Sequence, residues 1–441
     1  MGRRGRRRLP QEPVEAQVEG LSHDGRGVAR VEGKATFIHG ALPGERVRFR
    51  YTARRRNRDE GELVEVLEAS PHRVEPRCAH FGLCGGCSLQ HLHATAQIEY
   101  KQRSLLDAFH HLGKVEPETL LPPLVNGDPW GYRRKARLGV KRVPKKGRVL
   151  VGFRERGSSY VAELERCEVL HPRVGGALMD LSRLIGDLSI PHRIAQIEVA
   201  LDDEQCVLIL RNLDPLTEKD RERLKRFGRQ HGFFFYLQPA GPESVAPLEE
   251  RADLRYRLPD FDLTIHFEPT DFTQVNSEIN RRMVRRAVEL LEPEEGERVL
   301  DLFCGVGNFT LPLATRAGWV TGVEGAPELV ARARANAEAN RLENVDFHAA
   351  NLYEPLQHEP WLKKSFHKVL LDPPRSGAFE VLEHLPRLGV ERILYVSCYP
   401  GTLARDAGEL VHRHGYRLVS AGVMDMFPHT AHVESMALFV K

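Results

Sequence analysis

The chain reads as an α/β protein preceded by a small β-barrel, with a mixed α+β segment between the two. Three observations predict this. From about Glu268 onward, apolar strand-like runs alternate with amphipathic stretches, which is the signature of repeated βα units. The first 70 residues break into short Val-, Ile- and Phe-containing runs separated by Gly, Asp and Pro. A cysteine-rich connector then leads into a region with no single period. At 441 residues the chain is too long for one core, and length predicts about three domains. The expected division is a disordered basic arm at 1–11, a barrel at 12–70, a central domain at 71–265 and the α/β domain at 266–441.

Composition narrows the class. Hydrophobic residues make up 41% and charged residues 28%, as in a soluble globular protein. No apolar run approaches the roughly 18 residues that cross a bilayer, and the basic start "MGRRGRRRLP" has no hydrophobic stretch behind it. The expectation is a cytoplasmic monomer with no membrane partner. The formal net charge is only +3, yet the basic residues cluster in the N-terminal arm, in "RVRFRYTARRRNR" (Arg46 to Arg58) and in "YRRKARLGVKRVPKKGR" (Tyr132 to Arg148). With Phe49, Tyr51 and Tyr132 among them, these blocks suit phosphate contacts and base stacking, so the predicted partner is nucleic acid.

Taken in order, "EAQVEGLSHDGRGVARVEGKATFIHGALPGERVRFRY" predicts short strands, and "ELVEVLEAS" adds a closing one, which together suit a barrel of OB type. The wording "GRGVAR…GK…F…GALPGE" also resembles a TRAM domain, a small RNA-binding β-barrel, over Glu12 to Ser70. "TAQIEYKQRSLLDAFHHLG" predicts an amphipathic helix ended by Gly113, and "AQIEVALDDEQCVLILRN" predicts two strands joined at an Asp-Asp turn. The runs "RVLDLFCGVGNFTLPLA", "WVTGVEGAPELVARARANAEAN", "VDFHAANLYE", "HKVLLDPPRSG" and "RILYVSCYP" build a mostly parallel, Rossmann-like sheet. Ligands of such sheets gather at the carboxyl ends of the strands. Asp301, Glu324, Asn351, Asp372 and Cys398 all follow apolar runs and are predicted to share that rim.

In "VLDLFCGVGNFT" a strand enters Gly305-x-Gly307 and then a helix, so the backbone can turn tightly and admit a ligand. Glu324 ends the next strand about 20 residues on, where a carboxylate bonds a ribose diol. No lysine follows the turn and there is no third glycine. A ribose-adenine ligand without phosphates, S-adenosylmethionine, fits this pattern, with Asn308 and Asn351 placed to contact its polar groups.

"LLDPPRSG" holds Asp372 on a corner fixed by two prolines. Arg375 stands where amine-methylating enzymes place an aromatic residue, and the Pro-Cys dipeptide of cytosine-C5 enzymes occurs nowhere in the chain. "VSCYPGTLARD" puts Cys398 at the end of a strand run, facing the next helix, whose N-terminus is expected to lower its pKa. Uracil C5 is too weak a nucleophile to attack a methyl sulfonium directly, but thiolate addition at C6 makes it an enolate carbon. That chemistry needs a cysteine, a group at the uracil edge and a base for the C5 proton. Cys398, Asp372 and Glu434 of "FPHTAHVESMALFVK" are the candidates, His429 and His432 preceding the carboxylate.

"CAHFGLCGGC" places Cys78, Cys84 and Cys87 in the pattern C-x5-C-x2-C, and Cys167 lies in "ELERCEVLHP". Disulfides are not expected in a cytosolic chain. Four thiolates suit zinc or an iron–sulfur cluster, and spacing does not separate the two. Cys206 and Cys304 read as core residues.

The segments "FTQVN", "DLFCGVGNFTLPLA", "LDPPRSG", "SCYPGTLARD" and "FPHTAHVESMALF" resemble, in order and spacing, the RNA uracil-C5 methyltransferases. Within them the likeness is to the branch with a TRAM domain and a [4Fe-4S] cluster that modifies large-subunit (23S) ribosomal RNA. It implies S-adenosylmethionine contacts at Gln274, Phe303, Asn308, Glu324, Asn351 and Asp372, a nucleophile at Cys398 and a base at Glu434. It also implies cluster ligands at Cys78, Cys84, Cys87 and Cys167, the cluster being structural, and a target uridine flipped from its stack. Tyr399 and Gly401 depart from the family pattern, which usually shows Asn and Ala there. Methylation of transfer RNA and non-catalytic RNA binding are the alternatives. A radical methylthiolating enzyme is disfavoured because its C-x3-C-x2-C spacing is absent.

Overall fold

The computed structural model describes residues 9–10 and 12–441, and the basic arm expected at 1–11 falls almost wholly outside the described residues. The chain divides into two compact units, one of residues 1–101 with 428–432 and one of residues 102–427 with 433–441.

In the first unit, β1 (Val14–Leu21), β2 (Gly27–Val31), β3 (Lys34–His39), β4 (Arg46–Arg54) and β5 (Asp59–Glu68) close into a barrel of order β1-β2-β3-β5-β4. Strict alternation along β4 explains the closure. Val47, Phe49 and Tyr51 point into a core with Ala16, Val18, Ala29 and Ile38, while Arg46, Arg48 and Arg50 point out. The cysteine stretch follows without regular structure, and α1 (Ala94–Ala108) runs from the first unit into the second.

The helix does not end on Gly113 as the sequence suggests. A π-helical turn covers Phe109–Gly113 and Lys114 takes the left-handed conformation instead. Gly113 serves a different need, since a Cβ there would lie 2.4 Å from the carbonyl oxygen of Ala404.

The second unit starts with a short strand, β6 (Thr119–Leu120). A six-stranded sheet of order β12-β11-β10-β9-β7-β8 then forms from β7 (Lys135–Val143), β8 (Arg148–Gly152), β9 (Ile194–Leu201), β10 (Cys206–Asn212), β11 (Phe234–Leu237) and β12 (Ala246–Pro247). Helices α2 (Pro172–Gly175), α3 (Leu178–Gly186) and α4 (Glu218–His231) accompany it. The predicted Asp-Asp hairpin is β9–β10, with Cys206 opposite Leu201. A separate hairpin pairs β13 (Arg255–Leu258) with β14 (Leu263–His266).

The α/β part is an eight-stranded sheet of order β17-β16-β15-β18-β19-β21-β20-β6. Its strands are β15 (Arg298–Leu302), β16 (Trp319–Glu324), β17 (Val345–Ala349), β18 (Lys368–Leu371), β19 (Arg392–Ser397), β20 (Arg417–Met424), β21 (Glu434–Val440) and β6. Strands β15 to β19 are mutually parallel, so their carboxyl ends lie on one rim. Strand β21 runs antiparallel to both β19 and β20, which brings the start of β21 to that same rim. The helices are α5 (Ser277–Leu291), α6 (Thr310–Ala314), α7 (Pro327–Ala339), α8 (Phe379–Leu382) and α9 (Pro400–His412). Helix α5 is capped by the Asn276 side chain and buries Ile279, Met283, Val284, Ala287, Val288 and Leu291. Each large aliphatic among them contributes about 1.5–3 kcal/mol by leaving water. Cys206 and Cys304 are buried, as expected of core thiols.

Candidate functional site

The glycine turn after β15 departs from ordinary backbone geometry and leaves open space beside Gly305. Gly305 and Gly307 have φ of 54° and 93°, and Phe303 also takes positive φ, 67°, a conformation that costs a non-glycine residue about 1–3 kcal/mol. The ring of Phe303 faces Tyr353 at 5.8 Å between centroids. Glu324, the last residue of β16, accepts from Gly305 N–H at 3.1 Å and from Ala326 N–H at 3.0 Å. Its carboxylate is thereby fixed at the strand end, the position from which a ribose diol is bound in such sheets.

Beneath the turn, Asp301 is fully buried and accepts from the Thr310 hydroxyl at 2.5 Å. Burial, with Asp372 and Glu324 adding like charge, pushes it up to about 8. Asn308 exchanges reciprocal hydrogen bonds of 3.0 Å with Asn280 and accepts from the Tyr256 hydroxyl at 2.8 Å, so much of its capacity is spent on holding α5 to the turn. Asn351 is exposed and shapes its own turn, donating to Glu354 and accepting from Tyr353 N–H. Gln274 lines a small cavity with Arg134, Arg281 and the Asn308 partners Tyr256 and Asn280. The rim predicted from sequence is therefore present, and the structure assigns several of its polar residues to scaffold bonds as well.

At the other end of the rim, strand pairing places the chemistry. Ser397 of β19 stands opposite Ser435 of β21. Continuing that antiparallel register by one residue sets Cys398 opposite Glu434. Asp372 follows β18, the parallel neighbour of β19 on its other side, where Leu371 pairs with Tyr395. Cys398 is half-buried and Glu434 is buried. Three of the predicted groups thus meet within the second unit.

Their electrostatics differ from expectation at the thiol. Burial first, then the charges of Glu434 and Asp372, push Cys398 up to about 11, against a smaller lowering by Arg375. The N-terminus of α9 does start directly behind it, at Pro400, but a helix dipole worth under about 1 kcal/mol does not offset desolvation plus two carboxylates. Burial also raises Asp372, to about 7.

Sequence reading missed the residues that hold the two loops in place. Asp406 is fully buried and accepts from Ala378 N–H at 2.8 Å, from the Tyr395 hydroxyl at 2.6 Å and from Arg405 at 2.7 Å. Arg405 also donates to the Ser376 carbonyl at 2.9 Å. Together they fasten the Asp372–Gly377 corner to α9. The signal was available: Asp406 lies three residues after Leu403 and four before Leu410, on the buried stripe of an amphipathic helix. Tyr353, whose hydroxyl donates to the Gly377 carbonyl at 2.9 Å, ties the Asn351 turn to the same corner.

In the first unit, the cysteine stretch is wound in turns, Phe81 N–H donating to the Cys78 carbonyl and Cys84 N–H to that of His80. Gly86 N–H points to the Cys84 sulfur at 3.4 Å. Cys78, Cys84, Cys87 and Cys167 are all partly exposed. Among the described residues no three His, Cys, Asp or Glu side chains are arranged as a metal site. Cys167 belongs to the second unit, its N–H bonded to the Gly175 carbonyl at 3.0 Å. His429 and His432 belong to the first unit and Glu434 to the second; His429 accepts at its carbonyl from Ser88 and Leu89 N–H, and its own N–H donates to Gln97 at 2.9 Å.

On the barrel, the basic block of β4 is largely ion-paired. Arg46 and Arg48 share Glu15, Arg54 meets Asp59 at 3.3 Å, and Arg55 meets Glu60 at 3.3 Å, whereas Arg56 forms no ion pair among the described residues. Among the described residues no helix is long and apolar enough to cross a membrane.

Comparison with known proteins gives a consistent picture. Residues 250–441 match the model of the tRNA (Uracil-5-)-methyltransferase family, and residues 7–64 match that of the TRAM domain. The chain is 60% identical over 443 residues to the 23S rRNA (uracil(1939)-C(5))-methyltransferase RlmD of Alkalilimnicola ehrlichii, covering 100% of this chain and 99% of that one. It is 58% identical to the protein of the same name from Nitrosococcus oceani, covering 98% and 97%. Among solved structures, the tRNA (uracil-54, C5)-methyltransferase of Pyrococcus abyssi, in complex with S-adenosyl-L-homocysteine, matches with a TM-score of 0.75 at 25% identity, covering 97% of this chain and 99% of that one.

Proposed function

Because the chain belongs to the RNA (uracil-C5)-methyltransferase family, in its 23S ribosomal RNA branch, we propose that it forms 5-methyluridine at one uridine of 23S ribosomal RNA, with S-adenosylmethionine as methyl donor. The acting species is a cytoplasmic monomer. The observation that supports this reading is the β19–β21 register, which ends with Ser397 opposite Ser435, next to Cys398 and Glu434, together with the influence of the Glu434 and Asp372 charges on the thiol.

The target uridine leaves its stack and enters beside Cys398. Asp372, a stronger base than an ordinary carboxylate because of its burial, takes the thiol proton. The sulfur then bonds to C6, and the C5=C6 electron pair moves toward O4, where the protonated Asp372 donates a hydrogen bond. C5 attacks the methyl carbon, the sulfonium–methyl bond breaks, and S-adenosylhomocysteine is left. Glu434 removes the C5 proton, the pair reforms C5=C6, and the S–C6 bond breaks. Cys398 recovers its proton from Asp372, and Glu434 releases its own to water. Gln274, Phe303, Asn308, Glu324 and Asn351 hold the donor, with Asp372 contacting it as well.

A [4Fe-4S] cluster is part of this reading. Cys78, Cys84 and Cys87 on one turn-rich stretch, with Cys167, would supply its four ligands, and the Gly86 N–H aimed at Cys84 sulfur suits a thiolate ligand. The cluster would be structural, since methyl transfer moves no net electrons. The Arg-rich barrel surface and the basic Tyr132–Arg148 segment would bind RNA phosphates.

The test is methylation of an unmodified 23S ribosomal RNA transcript with labelled donor. Wild-type protein is expected to label one uridine at C5. Cys398→Ala abolishes labelling, while Glu434→Gln leaves methylated RNA bound to Cys398 as a denaturation-resistant adduct. Labelling of transfer RNA alone, or normal turnover by Glu434→Gln, would overturn the respective assignment.

A further inference from the structure

Directly after the candidate nucleophile stands an aromatic ring that the chemistry above does not use. Tyr399 is 43% exposed and lies at the N-cap of α9 in an extended conformation, φ −148° and ψ 107°. Its backbone is fixed: the N–H bonds to the Ser397 hydroxyl at 3.1 Å, and the carbonyl accepts from the Thr402 hydroxyl at 3.2 Å and from Leu403 N–H. The ring rests on the first turn of the helix over Gly401. A Cβ at 401 would come within 2.8 Å of the ring edge, closer than side chains approach, so glycine there is what lets the ring lie down.

Cys398 and Tyr399 serve different directions. The thiol senses Glu434 and Asp372, at the ends of β21 and β18, whereas the ring covers α9. Tyr399 therefore lies beside the candidate nucleophile with its ring edge over Gly401 and 43% of the residue exposed.

A partly exposed π-face beside a pocket that receives an unstacked nucleotide offers a neighbouring base a new stacking partner. Stacking on an aromatic side chain contributes enough to matter and tolerates any base. The helix N-terminus beneath is favourable to a nearby phosphate. We infer that Tyr399, whose ring edge passes over Gly401, is the stacking platform for a nucleotide flanking the flipped uridine and so is a determinant of RNA affinity. This rests on the proposed RNA methyltransferase activity and names an RNA-binding residue for it.

The experiment uses the full chain and the unmodified 23S transcript. Tyr399→Ala is expected to raise KM for RNA by roughly 5- to 150-fold, the range of one lost base–aromatic stack, with donor affinity unchanged. Tyr399→Phe keeps the ring and rescues the KM to within about twofold. Gly401→Ala displaces the ring and raises KM in the same direction, but adds nothing in a Tyr399→Ala background. That non-additivity separates ring placement from simple damage to α9. Transcripts with an abasic site at one or the other flank identify the stacked nucleotide: on the correct one, wild-type and Tyr399→Ala converge.

Equal KM for wild-type and Tyr399→Ala on the intact transcript overturns the inference. So does a defect that persists undiminished on both abasic transcripts, because the ring then contacts the target uracil. A wild-type protein that methylates no RNA overturns the underlying reading instead, and the two failures are distinguished by the wild-type lane.

Discussion

Glu434→Gln is expected to make Cys398 more reactive in the free protein, although Glu434 is assigned to a later chemical step. The thiol lies near 11 where an ordinary one lies at 9.0. At pH 8 an ordinary thiol is ionised to about one part in ten, and Cys398 to about one in a thousand, a roughly hundredfold loss of nucleophile. After burial, the carboxylate of Glu434 is the largest contributor to that rise, ahead of Asp372. Replacing one like charge by a neutral amide of the same shape is worth about one pKa unit, so thiolate at pH 8 increases roughly tenfold. The sign follows: the wild-type alkylation rate climbs about tenfold per pH unit through pH 8–10 without levelling, and Glu434→Gln follows the same slope displaced to lower pH.

The assay is the rate of iodoacetamide labelling of the Cys398 peptide, followed by mass against pH. Cys206 and Cys304 are buried and should remain unlabelled in the native protein. A wild-type inflection at or below pH 9 would show that the α9 N-terminus governs the thiol after all. Unchanged labelling in Glu434→Gln would place the carboxylate out of reach of the sulfur.

Asp406→Asn removes the charge that collects bonds from Ala378, Tyr395 and Arg405, and is expected to cost about 1–3 kcal/mol, read as a lower Tm, with a larger loss in kcat than in donor affinity as the Asp372 corner loosens. Arg56→Ala should reduce the slope of log RNA affinity against log salt by up to about 1, whereas Arg54→Ala, whose guanidinium already meets Asp59, changes it less; equal slopes for both would mean that the ion pairs open on binding. Protein purified without oxygen should be brown and contain iron and sulfide in equal amounts, and Cys84→Ser should lose the colour together with solubility; a colourless, zinc-loaded and fully active protein refutes the cluster.

Much of the site was legible because it lies where period changes. The alternation on β4, the glycine turn after β15 and the polar residue at each strand end are local patterns, and the parallel sheet turns them into one rim without further information. Two kinds of feature were not legible. One is multiple use of a side chain: Asn308 looks like a ligand contact in sequence, yet it also closes a reciprocal amide pair with Asn280, 28 positions earlier. The other is charge balance, which depends on neighbours distant in sequence. The arginines of the barrel read as a bare cationic block, but Glu15, Asp59 and Glu60 come from other strands or turns to meet them.

The thiol is the clearest instance, because its expected activation reversed. A cysteine before a helix suggests a thiolate when only the helix is visible in the sequence. Glu434 comes from a strand 36 residues later, and only the antiparallel return of β21 brings it opposite Cys398. A base for the C5 proton must stand near C5, and C5 adjoins the carbon that the sulfur attacks, so a nucleophile and a carboxylate crowded together are a geometric consequence of the reaction. Their repulsion then keeps the sulfur protonated until a substrate is present. In the proposed reaction, uracil entry supplies an electrophile at C6 and an acceptor at O4 in the same event, and the proton shed by Cys398 would give Asp372 the hydrogen that O4 requires. On this reasoning the high pKa is a means of restraint: the free protein exposes little thiolate to oxidation or alkylation, and reactivity appears only when the uridine is in place.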